Sequence, residues 1–192
     1  MARLMIIQGH PDVAGGHLCH ALAEAYAQAA REAGHDAATI EVAGLAFPRL
    51  QAKEEFENGP LPEMLEPAQQ AIGQADHLCI VYPLWLETLP AIRKAFLEQV
   101  FRPGFAFELG GRSWRRPLQG KSARIVVTMG MPLLIYRWYF GAHGLKSLER
   151  SILGFCGIGP IRESLFGMVD AAPPVRRAQL LSRMRQFGAA AR

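Results

Sequence analysis

The sequence predicts an α/β protein in which helices cover both faces of a parallel β-sheet. Short apolar runs of strand length alternate along the chain with longer segments of helical periodicity. Five such β–α units follow one another, and repeated β–α units fold into a doubly wound, three-layer sandwich. The chain has 192 residues, enough to form one full hydrophobic core. We therefore expect residues 1–192 to form a single domain.

The first half of the chain contains two of these units. Residues 3–9, RLMIIQG, are an apolar run that ends in glycine, which indicates a buried strand. A weaker strand is expected at 36–42, and a helix opened by a proline at 62–76. The first helix is expected at 17–34, before a glycine that stops it, with an apolar face of Leu18, Leu22, Ala25, Ala29 and Ala33.

The second half of the chain contains the other three units. The clearest buried strand is HLCIVYP at 77–83. The helix after it covers 89–101 and has Pro90 near its first turn, where the missing N–H costs nothing. A run of β-branched residues predicts another strand at 122–129. The last elements are a helix at 145–157 that ends at glycine, a strand at 161–169 and a helix at 173–188.

Composition narrows the class of protein and its partners. The net charge of +4 is small and no aromatic-rich basic groove accompanies it, so we expect no nucleic-acid binding. Cys19, Cys79 and Cys156 are widely spaced and odd in number, which indicates free thiols in a reducing compartment. The apolar run at the start is too short for a signal peptide or a membrane span. We expect a cytoplasmic protein.

The three most unusual segments of the chain follow the first, third and fourth predicted strands, at 8–19, 83–90 and 128–144. In a doubly wound sheet the ligand lies beyond the carboxyl ends of the strands, so these segments should meet in one site. The first segment is rich in glycine and leads into a helix, so it is either a phosphate loop, with His10 and His17 as donors, or an ordinary turn. The second is apolar and aromatic, and it suits either a flat aromatic cofactor or the core.

Three histidines in or just after the first segment, His10, His17 and His20, raise the question of a metal site. No carboxylate accompanies them at ligand spacing, and Cys19 lies on another face of the predicted helix. We therefore expect no metal there.

Five stretches of the sequence occur in an order that is typical of one known family. They are HPDVAGGHLCHALAEA (10–25), AFPRL (46–50), YPLWLETLPAIRKAFLEQVFRPGFAFE (82–108), LQGKSARIVVTMG (118–130) and GAHG (141–144). Together they resemble the flavodoxin-like NAD(P)H:quinone oxidoreductase family, which includes diaphorase-type quinone reductases, bacterial drug-modulator proteins and potassium-efflux ancillary proteins. The resemblance covers nearly the whole chain. It implies a flavodoxin-like sheet of five parallel strands in the order 2-1-3-4-5, and a flavin cofactor.

The resemblance also implies which residues hold the flavin. Tyr136 and His143 match the active-site tyrosine and histidine of the family. With the backbone N–H groups of Gly130 and Met131, they are expected to stabilise the negative charge of the reduced ring. The implied contacts are His10, His17, Leu18 and Cys19 for the phosphate, and Pro83, Leu84, Trp85, Leu86, Thr128, Met129, Gly130 and Met131 for the ring.

The sequence departs from the family pattern at the site itself. Thr128-Met129-Gly130-Met131 stands where the family usually has Thr-Thr-Gly-Gly, and His17-Leu18-Cys19 stands where it often has Ser-Phe-Asn. One extra residue separates Tyr136 from His143, which makes Tyr139 a rival for the catalytic role.

The resemblance finally implies an enzyme that oxidises NADPH or NADH and reduces a quinone-like acceptor in a ping-pong reaction. The short stretch at 43–76 favours FMN over FAD as the cofactor. Aromatic residues in the 133–140 stretch are expected to form the seam of a homodimer at the flavin site, with shallow membrane contact as a weaker alternative. Two other functions stay open: a regulatory subunit of a potassium-efflux transporter, and a reductase of nitro or azo compounds. An electron-carrier flavodoxin is disfavoured because such carriers are typically acidic.

Overall fold

The computed structural model describes residues 1–110 and 113–192. Five strands form an all-parallel sheet, and the remaining two form a short antiparallel pair. The strands are β1 Arg3–Gln8, β2 Asp36–Glu41, β3 His77–Pro83, β4 Glu108–Gly110, β5 Ser113–Arg115, β6 Ser122–Thr128 and β7 Ile161–Phe166. The large sheet has the order β2-β1-β3-β6-β7. The predicted fold class and strand order are therefore confirmed.

Helices cover both faces of this sheet. Those with α-helical geometry are α1 Leu18–Glu32, α2 Lys53–Asn58, α3 Glu66–Gln74, α4 Ala91–Val100, α5 His143–Lys146 and α6 Pro174–Ala189. Single 3₁₀ turns occur at Val42–Gly44 and Glu63–Leu65, and π-helical segments at Ile135–Tyr139 and Ser147–Gly154. Within the described ranges, no helix combines the length and the apolar character that crossing a bilayer requires.

The core has two halves, one on each side of the sheet. In β1, Leu4 and Ile6 point towards α1 and α6, whereas Met5 and Ile7 point towards α3 and α4. This alternation follows from the two-residue period of a strand. Strands β1, β3 and β6 are buried on both faces, which is why each reads as a nearly continuous apolar run.

The structure corrects the predicted face of the first helix. Ala33 is exposed and Leu18 and Ala25 are only half-buried. The cause is the close packing of α1 on α6, where a Cβ on Gly188 would lie 2.1 Å from the carbonyl oxygen of Tyr26. Small residues permit this approach, and alanines form most of the buried stripe of α1: Cys19, Leu22, Ala23, Tyr26, Ala27, Ala29 and Ala30.

Candidate active site

Three segments meet at the carboxyl edge of the sheet, as the sequence predicted. The N–H of Leu84 donates to the carbonyl oxygen of Thr128 at 2.8 Å. The thiol of Cys19 lies 3.1 Å from the hydroxyl of the same threonine. The ring of His10 stands edge-on to that of Trp85, with centroids 6.4 Å apart. The segments therefore surround the point between β1 and β3 where the strand order reverses, which is where ligands bind in such sheets.

The first loop is held in place by its own side chains. Nε2 of His17 lies 2.7 Å from Oδ2 of Asp12, and the N–H of Asp12 donates to Nδ1 of His10 at 3.1 Å. Because Nδ1 accepts this bond, the proton of a neutral His10 ring lies on Nε2. Burial, followed by the charges of His17 and His20, lowers the pKa of His10 to about 4. At neutral pH His10 is therefore a neutral hydrogen-bond donor.

His10 and His17 of the first loop form a tight cluster with His20 of α1. The rings of His10 and His17 stack with centroids 3.9 Å apart, and His20 lies 5.2 and 5.7 Å from them. Among the residues that the structure describes, no group of His, Cys, Asp or Glu side chains could hold a metal ion. A cavity of about 330 Å³ opens beside the cluster, and its lining includes Gln8, His17, His20, Glu24 and Glu41.

Helix α1 begins directly after this loop. The backbone N–H groups of Leu18 and Cys19 lie in its first turn, where no helical acceptor exists, and such groups favour anions. The side chain of Leu18 is half-buried and that of Cys19 is buried in the core. Cys19 can therefore contact a ligand through its backbone N–H but not through its thiol.

The second segment contains a tight turn in an unusual conformation. Trp85 and Thr88 exchange backbone hydrogen bonds of 2.9 and 3.0 Å around Leu86 and Glu87. The φ angles of Leu86 and Glu87 are 45° and 66°, a region that residues with a Cβ rarely adopt. The turn follows Pro83 and projects Leu86 into solvent, with 98% of its surface exposed, beside a half-exposed Trp85.

The residues after β6 divide into buried and available ones. The N–H of Met129 donates to Phe166, its carbonyl accepts from Val169, and its side chain lies in the core. Met129 therefore offers no free polar group to a ligand. Gly130 is exposed, and a Cβ there would lie 2.3 Å from a carboxylate oxygen of Asp170. Met131 is half-buried.

The extra residue between Tyr136 and His143 coincides with the π-helical segment Ile135–Tyr139. The N–H of Phe140 donates to Ile135 at 3.1 Å, so the bond spans five residues instead of four. π-Helical turns are rare and are found mainly at functional sites. As a result of this winding Tyr136 is fully buried, whereas Tyr139 is 82% exposed.

The hydroxyl of Tyr136 is buried without a well-formed hydrogen bond among the described residues. Burial raises the pKa of Tyr136; the nearby backbone N–H of Leu145 offsets part of this rise, and the carboxylates of Glu87 and Glu163 add to it. The phenol is therefore protonated at neutral pH and keeps a free O–H donor.

His143 lies in a turn that packs against the second segment. Gly141 and Ala142, the two residues before it, have φ angles of 66° and 50°. Ala142 is the N-cap of α5 and has a left-handed backbone conformation. The next residue, Gly144, approaches so closely that a Cβ would lie 2.1 Å from the carbonyl oxygen of Glu87. His143 is thus presented, exposed, beside the turn that carries Leu86.

This edge of the sheet fits a flavin. A flavin needs an apolar surface for its ring and donors for the polar edge of the ring. The exposed faces of Trp85 and Leu86 supply the surface. Donors without a hydrogen-bond partner in the described part of the chain are the backbone N–H groups of Leu86, Glu87, Gly130 and Met131.

Three charged residues of the site escaped the sequence reasoning. Glu87 and Asp170 gave no periodic signal because each lies in a loop. Arg93 did leave a signal, since it stands four residues after Leu89 and four before Leu97 in the sequence, and all three side chains are buried. A charged residue at a buried position of this apolar pattern was the signal that could have found it.

Comparisons with known proteins agree with this geometry. An NAD(P)H oxidoreductase of uncharacterized role from Haemophilus influenzae is 29% identical over 85% of this chain and 82% of its own length. NAD(P)H dehydrogenase [quinone] 1 of Rattus norvegicus is 28% identical over 66% of this chain, which spans about half (47%) of the rat protein. The structure of NAD(P)H:quinone oxidoreductase from Methanothermobacter marburgensis matches with a TM-score of 0.80 at 23% identity, covering 100% of this chain and 99% of the other.

A family model described as the flavodoxin-like fold matches residues 2–187. That range contains all five strands of the parallel sheet and each of the three site segments. The chain therefore belongs to the flavodoxin-like family, as its motifs predicted.

Proposed function

We propose that the protein is a flavin-dependent enzyme that oxidises NADPH or NADH and reduces a quinone-like acceptor. The observation that carries the proposal is the pair of loops with unpartnered backbone N–H groups, at Leu86 and Glu87 and at Gly130 and Met131, beside the exposed ring of Trp85. The relatives described above are named as NAD(P)H oxidoreductases, which supports NAD(P)H as the electron donor.

The cofactor would lie along the carboxyl edge of the sheet. Its phosphate would bind at the first loop, to the N–H groups of Leu18 and Cys19 and to the rings of His10 and His17. Its ring would pack on Pro83 to Leu86, with one polar edge on Gly130 and Met131. A flavin bound here would supply the redox chemistry, which is hydride transfer from a nicotinamide and electron transfer to an acceptor.

Tyr136 and His143 would serve the edge of the ring on which negative charge develops. His143 is exposed, and an imidazole at the edge of the site can take up and return a proton. Tyr136 holds a free O–H in a buried position, where a donor acts more strongly than in water. Tyr139 projects into solvent and packs edge-on against Phe140 at 4.9 Å, which suits the seam between subunits rather than the ring.

We further propose FMN as the cofactor and a homodimer as the functional form. The stretch between β2 and β3 is occupied by two short helices and two 3₁₀ turns, which leaves little chain to hold an adenine. Several large apolar side chains near the site are exposed in the single chain, and a second copy would cover them. They are Leu134, Ile135, Trp138 and Tyr139.

The test begins with reconstitution. Apoprotein mixed with FMN should turn yellow and should oxidise NADPH or NADH when a simple quinone is present, with an azo dye and a nitroaromatic compound as alternative acceptors. Tyr136→Phe and His143→Ala should slow reduction of the bound flavin by on the order of tenfold or more while flavin stays bound. Tyr139→Phe is the matched control and should leave that rate unchanged. Failure of both FMN and FAD to bind at micromolar concentration would exclude the proposal.

A further inference from the structure

The side chain of Arg93 is the largest that is fully buried in the described part of the chain. It extends from α4 to the carboxyl edge of the sheet, where Nη1 donates to the carbonyl oxygens of Ile7 (3.2 Å) and Val81 (3.3 Å). These residues lie near the ends of β1 and β3, the two strands at the reversal of strand order. The guanidinium is therefore placed beneath the site.

Arg93 carries a charge that the described residues do not neutralise. Its Nε and Nη2 atoms have no hydrogen-bond partner, and it forms no ion pair with any described carboxylate. Its carbon Cζ lies 5.1 Å from the centre of the Tyr82 ring, which gives weak cation–π stabilisation. Burial lowers the pKa of Arg93 to about 10, so the side chain stays a cation at neutral pH.

A buried cation without a counter-charge is costly, so its location is informative. Nη1 lies so close to Gly9 that a Cβ there would be 2.0 Å away, and Gly9 begins the first loop. Burial raises the pKa of the Cys19 thiol, in the first turn of α1, and the hydrogen bond with Thr128 and the charge of Arg93 offset part of this rise. The positive charge thus lies directly behind the loop and the helix start that together favour an anion.

We propose that Arg93 makes the site selective for phosphorylated flavins, because its charge attracts the phosphate through the first loop without touching it. This inference rests on the proposed flavin function and adds the residue that selects the form of the cofactor. A unit charge acting across about 10 Å at an effective dielectric constant of about 20 changes a dissociation constant by roughly tenfold for each unit of opposite charge. Arg93 is a positioning charge and takes no part in the redox step.

The test compares FMN with riboflavin, which lacks the phosphate. Dissociation constants are measured for each apoprotein by quenching of flavin fluorescence at low ionic strength. Arg93→Met should weaken FMN binding by roughly tenfold or more and leave riboflavin binding within about twofold. Arg93→Lys keeps the charge and should retain most of the preference for FMN. Arg93→Gln is a second neutral variant that keeps a donor for the two carbonyl groups, in case the methionine variant does not fold.

Arg124→Met is the matched control. Arg124 is also buried in the sheet, but its guanidinium donates to Ser164 at 2.6 Å and to the Arg192 carbonyl at 2.7 Å and packs on Phe187. This control variant should lose thermal stability and keep the FMN preference. Arg93→Met should instead raise the melting temperature of the apoprotein, because an unpaired buried charge is replaced by an apolar side chain of similar length. A fall in the melting temperature, with FMN and riboflavin weakened equally, would show that Arg93 only supports the loop and would overturn the inference.

Inorganic phosphate separates this inference from the proposed function. Millimolar phosphate should raise the melting temperature of the wild-type apoprotein and have a smaller effect on Arg93→Met. If the wild type binds no flavin and this difference persists, the flavin function fails and the anion site stands. If flavin binds and neither the FMN preference nor the phosphate effect depends on Arg93, the inference about Arg93 fails and the proposed function stands.

Discussion

The contact between Gly144 and the second loop allows a sharp test of how the site is assembled. An ideal Cβ on Gly144 would lie 2.1 Å from the carbonyl oxygen of Glu87 and 2.7 Å from Cα of Thr88. Ordinary van der Waals contact begins at 3.4 Å, so Gly144→Ala must separate the two backbones by about 1.3 Å. Both groups belong to a hydrogen-bonded turn, so neither can rotate away as a flexible side chain would.

Two opposing effects set the size of the loss. Alanine is preferred to glycine in a helix by roughly 0.5–1 kcal/mol, whereas overpacking typically costs about 1–3 kcal/mol. The clash is the larger effect, and a net loss of about 1–2 kcal/mol lowers the melting temperature by roughly 2–8 °C in a chain of this size. A displacement of about 1 Å near reacting groups can reduce a rate by on the order of 100-fold. The rate of flavin reduction should therefore fall strongly in Gly144→Ala, whereas the protein stays folded.

Gly44→Ala is the matched control, because nothing lies within 4 Å of its Cβ position. Thermal unfolding by circular dichroism and single-turnover reduction of bound flavin should be measured for both variants. The reasoning would be refuted if Gly144→Ala matched Gly44→Ala in melting temperature and in reduction rate, since the turn around His143 would then not depend on its contact with the second loop.

Three further predictions concern titration, thiol chemistry and ionic contacts. Burial lowers the pKa of His77 from 6.5 to about 4, so as the pH falls the unfolded chain binds a proton before the folded protein does. The free energy of unfolding, measured by denaturant titration, should therefore fall by up to about 3 kcal/mol between pH 7 and pH 4. The fall should be smaller in His77→Gln. The thiols of Cys19, Cys79 and Cys156 are buried with raised pKa values, so a disulfide reagent should label all three rapidly only after denaturation; rapid labelling of the native protein would contradict this. The Arg137–Glu163 ion pair of 2.8 Å is partly exposed, so replacing Arg137 by alanine should change the unfolding free energy by at most about 1 kcal/mol, as measured in urea.

The sheet could be read from the sequence because its inner strands are buried on both faces. HLCIVYP was predicted at 77–83 and β3 covers His77–Pro83. Helix α2 and the strands β4 and β5 were not predicted, and each lacks the signal on which such predictions depend. Helix α2, Lys53–Asn58, has no buried residue and hence no apolar stripe. The strands β4 and β5 have three residues each, too few for alternation to be recognised.

The site was predicted in outline and not in detail. Position at the strand ends was enough to bring the three segments together, because the fold itself places the carboxyl ends of parallel strands at one edge. The resemblance implies that Met129 contacts the ring, which stays a prediction; its backbone N–H and carbonyl are bonded to Phe166 and Val169. The π-helical turn decides whether Tyr136 or Tyr139 faces inwards. Periodicity in a sequence assumes α-helical hydrogen bonds that span four residues, so it could not show which of the two is buried. The extra residue before His143 was the one trace of that turn in the sequence.

Several departures from local structural rules lie at this same edge. Leu86 and Glu87 have positive φ angles, the segment before His143 is π-helical, and a fully buried arginine has no counter-charge. Each buried polar group without a partner costs about 1–3 kcal/mol, and the phenols of Tyr82 and Tyr136 add to this cost. A group bound at this edge would supply partners for these polar atoms, which would account for the tolerance of the departures that lie there.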